Sequence, residues 1–304
     1  MRAYSNEPVK IMEGMRQKID YLVRSVQNLN QPRICPNCGA TQTEVIDSKY
    51  LVTHLLKCAN CKLSFRYPTD TQDFLNDFYQ SAYQATYSAE TLSITDLPDD
   101  AALARLMEGN FPGKRNHTPF VHALLKTYTA RVLDYGCSWG YSVYHLKQAG
   151  YDAEGFEISR PRAEFGRKIG VKIRYQQDTV PSGLDMVMSN HAIEHVPVIS
   201  DFVNFAASRL KIDGLFMAFC PNGSDEFRKR EPGVFHVNWG FLHPNYLDIP
   251  FAAHLFRNNP HLILTGDWSY DTAMLSAWDG RSQQVGDQRD GKELLIIAKP
   301  NTNI

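Results

Sequence analysis

Beyond residue 130 the 304-residue chain alternates short β-like runs with helical stretches, and this alternation constrains the fold more than any other feature. The β-like runs lie at 131–135, 152–157, 171–175, 184–189 and 215–219. Strands separated by helices form βαβ units, in which the strands are parallel and helices cover both faces of the sheet. Two later runs, at 262–268 and 293–298, favour an antiparallel pair at the end of the sheet. The prediction is an α/β fold with a mostly parallel, seven-stranded sheet.

The first 130 residues divide into three segments of different character. Apolar residues recur every third or fourth position over 8–30, which predicts a lead-in helix that Pro32 ends. The stretch after residue 69 is predicted to be helical, with breaks at Pro98, Pro112 and Pro119. We therefore expect a lead-in helix, a cysteine-containing module, a helical linker or cap and an α/β domain, at 1–30, 31–68, 69–130 and 131–300.

Two Cys-x2-Cys units, Cys35 with Cys38 and Cys58 with Cys61, are separated by 19 residues. This spacing is typical of a four-cysteine zinc site, because a tight turn brings two thiolates onto one ion and a second turn completes the tetrahedron. Four protein ligands close the coordination sphere, so the sequence predicts a structural zinc ribbon. Unliganded thiols are the alternative, and disulfides are rarer in a reducing compartment.

Composition and charge exclude several classes of protein. The chain is 43% hydrophobic and 21% charged, which is ordinary for a globular protein and rules out a disordered polymer. The sequence shows neither a signal peptide nor an apolar run of membrane-spanning length, so we expect a cytoplasmic protein without a membrane span. The net charge of −1 divides into +5 over residues 1–68 and −6 over the rest. Because the larger segment, after residue 68, carries a net negative charge, the charge distribution argues against nucleic acid as the partner.

A glycine-containing turn follows the first predicted strand of the α/β domain, in the sequence Gly136-Cys-Ser-Trp-Gly140. Ligands of open α/β sheets bind at the carboxyl ends of the strands, where glycines let the backbone approach closely. The spacing matches neither a dinucleotide fingerprint nor a P-loop. Asp134 lies two residues before the turn, and its carboxylate suits a ligand that carries an ammonium group.

A second acidic residue, Glu157, ends the next predicted strand about 20 residues further on. At that position an acidic side chain can accept hydrogen bonds from the hydroxyls of a ribose. The alternative is a solvated glutamate at a strand end. The second acidic residue strengthens the indication of a ligand site beyond what the glycine turn alone gives.

With these residues, the stretch 131–220 resembles the class I S-adenosylmethionine-dependent methyltransferases, whose fold is Rossmann-like. The resemblance implies that Asp134, Gly136, Ser138 and Gly140 form the first donor-binding motif. Glu157 matches the ribose-binding acid of the second strand. The fourth-strand motif is similar to residues 184–196 and adds Asn190 as a contact to the methyl donor.

The resemblance extends to further parts of the chain. Asp178 stands where the family often places an acid or amide near the adenine amino group. The cysteine pairs and the aromatic helix after them resemble bacterial members with an N-terminal zinc ribbon, and these members also carry a His-x-Asn segment like His236-Val-Asn238. Ser138 departs from the family pattern, which usually has glycine there. A serine fits only if its Cβ avoids the ligand or its hydroxyl contacts it.

The sequence His191-Ala-Ile-Glu194-His195 also matches the inverted zinc-peptidase motif, His-x2-Glu-His. That motif requires a long helix, whereas here it follows a predicted strand directly and Pro197 interrupts any helix. We therefore interpret it as a loop at the carboxyl edge of the sheet, with the histidines near the mouth of the site.

Methyl transfer from a sulfonium needs the nucleophile, carbon and sulfur to be held in line, which is mainly a task of positioning. A hydroxyl acceptor would also need a base, for which His195, His191 and His236 are the candidates. We expect a small-molecule or glycan acceptor: a sugar, a polysaccharide end or a secondary metabolite. The alternatives are an RNA methyltransferase that grips RNA with the zinc ribbon, and a non-catalytic binding module.

Overall fold

The computed structural model describes residues 18–80, 100–108, 115–240 and 243–301. Within these ranges the chain forms twelve strands in two sheets. The strands are β1 (Thr43–Lys49), β2 (Thr53–Cys58), β3 (Ser64–Tyr67), β4 (Arg131–Tyr135), β5 (Asp152–Phe156), β6 (Ile173–Arg174), β7 (Leu184–Asn190), β8 (Leu210–Pro221), β9 (Asn245–Tyr246), β10 (His261–Gly266), β11 (Gln283–Val285) and β12 (Glu293–Ala298).

Helices connect most of these strands, as the βαβ pattern predicts. They are α1 (18–27), α2 (Gln72–Gln80), α3 (Asp100–Met107), α4 (Thr118–Leu125), α5 (Tyr141–Gln148), α6 (Arg160–Lys168), α7 (Ile199–Arg209), α8 (Asp225–Arg230), α9 (Pro232–Asn238), α10 (Ile249–Leu255) and α11 (Thr272–Ala277).

The large sheet has the strand order β11-β10-β12-β8-β7-β4-β5-β6. Strands β8, β7, β4, β5 and β6 are parallel, and β12 runs antiparallel to both β8 and β10. The predicted α/β fold and the antiparallel pair are confirmed. The predicted number of seven strands is wrong, because the three-residue strand β11 pairs with β10 and forms the edge. Its polar sequence, Gln283–Val285, carries no strand signal.

Alternate residues of the central strands face two separate hydrophobic cores. In β7, Val187 joins the core that contains helix α7, whereas Met186 and Met188 join the core under helix α5. In β8, Phe216 and Met217 divide in the same way. This two-sided burial is the signature of a parallel sheet covered on both faces, and it leaves the carboxyl ends of the strands open for a ligand.

The small sheet is antiparallel, with the order β1-β2-β3-β9. Its fourth strand, β9, comes from residues 245–246, far along the chain from the other three. Leu56 and Phe65 of this sheet are buried in the same core as Val187 and Phe216 of the large sheet. The cysteine-containing module is therefore packed firmly against the α/β unit.

The segment 69–130 contains helices α2, α3 and α4 within the described residues. The predicted break at Pro119 is wrong. Pro119 lies in the first turn of α4, where a missing N–H costs nothing. Pro98 and Pro112 lie outside the described residues. Of the predicted lead-in helix, residues 18–27 are helical and the preceding residues also lie outside the described part.

Candidate functional site

A cavity of about 810 Å³ opens at the carboxyl ends of β4, β5 and β7. This size is within the usual range for small-ligand sites. Seven of the ten residues predicted to contact the methyl donor or the acceptor line it: Asp134, Gly136, Ser138, Glu157, Asn190, His191 and His195. The predicted crevice at the strand ends is therefore present.

The turn after β4 is shaped by a close backbone approach. Gly136 has a φ of +76°, and a Cβ built on it would lie 2.3 Å from the Cβ of Ala192. Any other residue would therefore clash with the loop after β7. The N–H groups of Gly136 and Cys137 both donate to the carbonyl of Phe156, over 2.8 and 3.1 Å. These contacts bring the turn, β5 and the loop after β7 together at one point.

Ser138, which departs from the expected glycine, has its own structural explanation. It adopts a left-handed φ of +53°, and its N–H donates to Oε2 of Glu157 over 2.9 Å. Its hydroxyl accepts a hydrogen bond of 2.7 Å from Nη1 of Arg162, a buried residue of α6. The serine side chain is thus held by the protein, and Arg162 is a contributor that the sequence analysis missed.

Glu157 and Asp134 place two buried carboxyl groups beside the cavity, exposed by 4% and 2%. Glu157 accepts two backbone hydrogen bonds, from Ser138 and from Ser159, and burial still raises its pKa. For Asp134, burial and then the negative charge of Glu157 raise the pKa to about 7. Oδ1 of Asp134 accepts no hydrogen bond from any residue that the structure describes. Such a pair favours a positively charged ligand.

Two residues predicted to contact the donor do not line the cavity. Gly140 has a φ of +92° at the start of α5, and a Cβ there would lie 2.6 Å from Val171. Its role is to let the helix pack closely against β6. Asp178 is exposed on a short 3-10 turn, and its neighbour Gln177 lines the cavity instead.

At the other end of the cavity His191 bridges two buried carboxylates. Its Nε2 lies 2.8 Å from Oε1 of Glu293, and its Nδ1 lies 3.5 Å from Oε1 of Glu194. Burial disfavours the charged imidazole, but these two contacts raise the pKa of His191 to about 9. Its ring stacks on Trp268, with 5.2 Å between the ring centroids.

Glu293 is fully buried and is also bound by Arg115, through two hydrogen bonds of 2.8 and 2.9 Å. The guanidinium of Arg115 lies over Phe219 at 4.3 Å. Burial raises the pKa of Glu293, but His191 and Arg115 lower it below the usual value. The sequence analysis missed Arg115, Glu293 and Trp268, because they lie far apart in the chain and belong to no motif.

His195 also lines the cavity, on the 3-10 turn Ile193–His195 that follows β7. The turn confirms that the rejected peptidase motif does not form a long helix. The Nε2 of His195 lies 3.9 Å from Oε1 of Glu194, and so does the Nε2 of His243. Three histidines therefore surround one buried carboxylate.

His236 lies elsewhere, on α9 beside the small sheet. Its Nδ1 lies 2.9 Å from Oδ2 of Asp47, which also accepts a hydrogen bond of 2.8 Å from the indole of Trp239. The imidazole does not line the cavity and is half exposed. The structure therefore does not bring His236 together with His191 and His195.

The four cysteines of the N-terminal module form a compact cluster. The Sγ atoms of Cys35 and Cys61 lie 3.5 Å apart, and those of Cys38 and Cys58 lie 3.6 Å apart. Thiolates bound to one zinc ion at about 2.3 Å lie roughly 3.8 Å apart in a tetrahedron. All four sulfurs lie within 4.8 Å of one another, so the cluster is consistent with a zinc site.

Each cysteine pair is presented by the same kind of turn. The N–H of Gly39 donates to the carbonyl of Cys35, and that of Lys62 donates to the carbonyl of Cys58. Gly39 and Lys62 both have a left-handed φ, of +73° and +71°. The two remaining cysteines, Cys137 and Cys220, are buried and do not belong to this cluster.

Comparison with known proteins agrees with this geometry. The family described as "Methyltransferase domain" matches residues 100–268, which is more than half of the chain. The chain therefore belongs to this family and is an S-adenosylmethionine-dependent methyltransferase. No curated protein matches it significantly.

Solved structures of methyltransferases are similar to parts of the chain at low sequence identity. A SAM-dependent methyltransferase from Archaeoglobus fulgidus is 16% identical, covers 66% of this chain and 99% of its own, and has a TM-score of 0.41. TehB from Haemophilus influenzae is 12% identical, covers 64% of this chain and 65% of its own, and has a TM-score of 0.43. Among the described helices, none has the length and apolarity needed to span a bilayer.

Proposed function

We propose that the cavity binds S-adenosylmethionine at the end formed by Asp134, Glu157 and the turn 136–140, and an acceptor hydroxyl at the end formed by the histidines. The observation that carries the first part is the pair of buried carboxyl groups, of which Asp134 keeps one oxygen without a described partner. A ligand with ammonium and sulfonium groups supplies the positive charge that such a pair lacks. When bound, S-adenosylmethionine supplies a methyl group that its sulfonium activates.

The roles of the donor-binding residues follow from their hydrogen-bonding capacity. Each carboxylate oxygen of Glu157 already accepts one backbone N–H and has a lone pair left for a ribose hydroxyl. Asp134 faces the positive end of the donor, and Asn190 at the end of β7 contacts it from the other side. Because the Ser138 hydroxyl is held by Arg162, we expect it to shape the turn without contacting the donor.

For the acceptor end we propose His195 as the group that takes a proton from the acceptor hydroxyl. Both nitrogens of His191 already lie against carboxylates, those of Glu194 and Glu293, so this imidazole is less suited to take a proton. The half-exposed His236 lies outside the cavity and drops out of the set of candidates. Trp268 provides a flat apolar wall, as is common for sugars and ring compounds.

A small acceptor fits this site better than RNA. Several basic side chains at the surface are paired with acids, which weakens any field that would attract a phosphate backbone. Lys172 and Arg174 bind Glu154, and Lys211 binds Asp185. The acceptor that we propose is a sugar, a polysaccharide end or a secondary metabolite.

We also propose that the four cysteines bind one structural zinc ion, because their donor chemistry and spacing suit a closed tetrahedral site. On this proposal residues 31–68 form a zinc ribbon and 131–300 form the catalytic domain. The lead-in helix (1–30) and the helical segment (69–130) flank the ribbon, and α2 supplies Phe78 and Tyr79 to the wall of the cavity.

The proposal is tested by incubating the protein with S-adenosylmethionine carrying a labelled methyl group and two panels of acceptors. One panel contains sugars, glycan ends and hydroxylated metabolites, and the other contains structured and unstructured RNA. We expect label on a hydroxyl of the first panel, and retention on heparin that depends weakly on salt. Label on RNA, with a steep salt dependence, would overturn the choice of acceptor. Donor binding without transfer to either panel would overturn a hydroxylated small molecule as the acceptor.

A further inference from the structure

Beyond the donor site, a second cluster of metal-ligating side chains lies at the acceptor end of the cavity. It consists of Glu194 and His195, from the turn after β7, and His243, from the segment before β9. Their ligand atoms all lie within 4.8 Å of one another. Glu194 and His243 are exposed by only 1% and 5%, while His195 reaches the cavity. The pairing of β9 with the small sheet is what brings His243 to this point.

The orientation of His243 is fixed by the backbone. Its Nδ1 lies 2.5 Å from the carbonyl oxygen of Asn238, and because a carbonyl can only accept, Nδ1 carries the proton. The neutral ring therefore presents the lone pair of Nε2, and this atom lies 3.9 Å from Oε1 of Glu194. Two acceptors face each other across a distance too long for a hydrogen bond.

The carboxylate of Glu194 also lacks an aligned hydrogen-bonding partner among the residues that the structure describes. Neither of its carboxylate oxygens accepts a well-aligned hydrogen bond from the described part of the chain, although the side chain is almost completely buried. Its contacts are ion-pair distances of 3.5 Å to His191 and 3.9 Å to His195 and His243. His191 partly compensates the buried charge at 3.5 Å, but two carboxylate oxygens without an aligned donor still have the capacity to bind a further cation.

We propose that Glu194, His195 and His243 bind a divalent transition-metal ion such as Zn²⁺, through Oε1 of the carboxylate and Nε2 of each imidazole. Two imidazoles and one carboxylate are a donor set that zinc and its neighbours prefer, and three protein ligands leave a position open towards the cavity. Ligands bound at about 2.1 Å lie roughly 3.0–3.6 Å apart, so the observed 3.9 Å requires only small side-chain rotations. The carbonyl of Asn238 orients His243 as second-sphere groups usually do.

This site differs from the peptidase motif that the sequence suggested. In that motif His191 would be a ligand, whereas here its Nε2 is engaged by Glu293 and the third ligand, His243, is 48 positions further along the chain. The catalytic consequence rests on the proposed function: the ion would lower the pKa of an acceptor hydroxyl bound to it, so that the proton could leave to water in the cavity, and His195 would hold the ion instead of taking the proton. The metal site itself requires neither donor nor acceptor.

The test is a metal count on full-length protein dialysed against zinc and then against metal-free buffer. We expect two equivalents of zinc per chain, one at the cysteines and one here. Glu194→Gln, which keeps the shape of the side chain, and His243→Ala should each reduce the count by one. His261→Ala is the matched control, because His261 is equally buried but is bound by the carbonyls of Phe256 and Asn259.

Equal zinc content in wild type and folded Glu194→Gln would overturn the site. A count that falls by one in Glu194→Gln supports it even if the cysteines prove to be empty. Should both variants fail to fold, a cobalt(II) titration of metal-free wild type decides: a second equivalent that binds without sulfur-to-cobalt charge-transfer absorption is expected, and its absence would overturn the site. Since no step of the test uses S-adenosylmethionine, failure of the proposed methyl transfer leaves the count unaffected.

Discussion

The backbone N–H of Ser138 donates a 2.9 Å hydrogen bond to Oε2 of Glu157, which connects the turn after β4 to the end of β5. The same carboxylate is the group that we propose for binding the ribose of the donor. The shape of the turn therefore depends on the position of the Glu157 carboxylate, and the turn and this acid act as one structural unit. Arg162 extends this unit to α6 through its hydrogen bond to the Ser138 hydroxyl.

Ser138→Gly, which restores the residue usual in the family, should lower the free energy of unfolding by about 1 kcal/mol. Loss of the hydroxyl leaves Nη1 of the buried Arg162 without this acceptor, at a cost of about 1.5–3 kcal/mol. Glycine adopts the left-handed φ of residue 138 without strain, which offsets roughly 1 kcal/mol of this loss in stability. Ser138→Ala loses the acceptor without this relief, so it should be the least stable of the three proteins in urea unfolding. A glycine variant more stable than wild type would show that backbone strain is the larger effect.

Asp134→Asn should stabilise the ligand-free protein at high pH. The pKa of this carboxyl is about 7 in the folded state and lower when unfolded, so between about pH 4 and 7 the folded protein binds a proton that the unfolded chain has lost. The stability of wild type therefore falls as the pH rises through this window. At pH 8 the variant should exceed wild type by roughly 1–3 kcal/mol in denaturant unfolding, and at pH 4 the two should be similar.

Asp185→Asn is the matched control for this pH dependence. Asp185 lies on β7 and accepts the N–H of Arg131 and a hydrogen bond from Lys211. Burial raises its pKa, but these partners lower it below the usual value. Its contribution therefore has the opposite sign, and the asparagine variant should be less stable than wild type at pH 8. The same change of stability in both variants would contradict the environment that we assign to Asp134.

Arg115→Ala should destabilise the protein by about 3–5 kcal/mol in urea unfolding. The substitution leaves Glu293, which is fully buried, without its bidentate partner. Arg230→Ala is the control, because the side chain of its partner Asp267 is half exposed and such pairs contribute at most about 1 kcal/mol. Similar losses of unfolding free energy in the two variants would contradict the claim that Arg115 compensates the buried charge of Glu293.

Cys61→Ser should remove zinc from the ribbon and lower the melting temperature of the whole protein in one transition. The reason is that β9 completes the small sheet and the two sheets share a core. Differential scanning calorimetry with metal analysis checks both statements. Cys220→Ala, which changes a buried cysteine outside the cluster, should keep the zinc content of wild type. Two well-separated transitions in Cys61→Ser would contradict the shared core.

Features encoded in short stretches of sequence could be predicted. The β-like runs gave the central strands, and the Cys-x2-Cys spacing gave the sulfur cluster. The carboxyl ends of parallel strands meet at one edge of the sheet, so Asp134 and Glu157 could be placed in one cavity. Each of these inferences needs only local periodicity or one general rule of α/β topology.

Features that depend on long-range contacts could not be predicted. Strand β9 has only two residues, and strand β11 is polar, so neither carries a periodic signal. His243 reaches the site because β9 pairs with the small sheet, and Arg115 reaches it by pairing with Glu293. His236 illustrates the converse, because its place in the His-x-Asn segment did not bring it into the cavity.

The central claim is that the cavity at the strand ends binds S-adenosylmethionine through Glu157, and isothermal titration calorimetry tests it most directly. Wild type should bind the donor, and Glu157→Ala should weaken binding at least about tenfold, which corresponds to about 1.4 kcal/mol. Glu154→Ala is the control, because Glu154 lies on β5, three residues before Glu157, but binds Lys172 and Arg174 outside the cavity. It should bind the donor as wild type does. No binding by wild type, or undiminished binding by Glu157→Ala, would contradict the account.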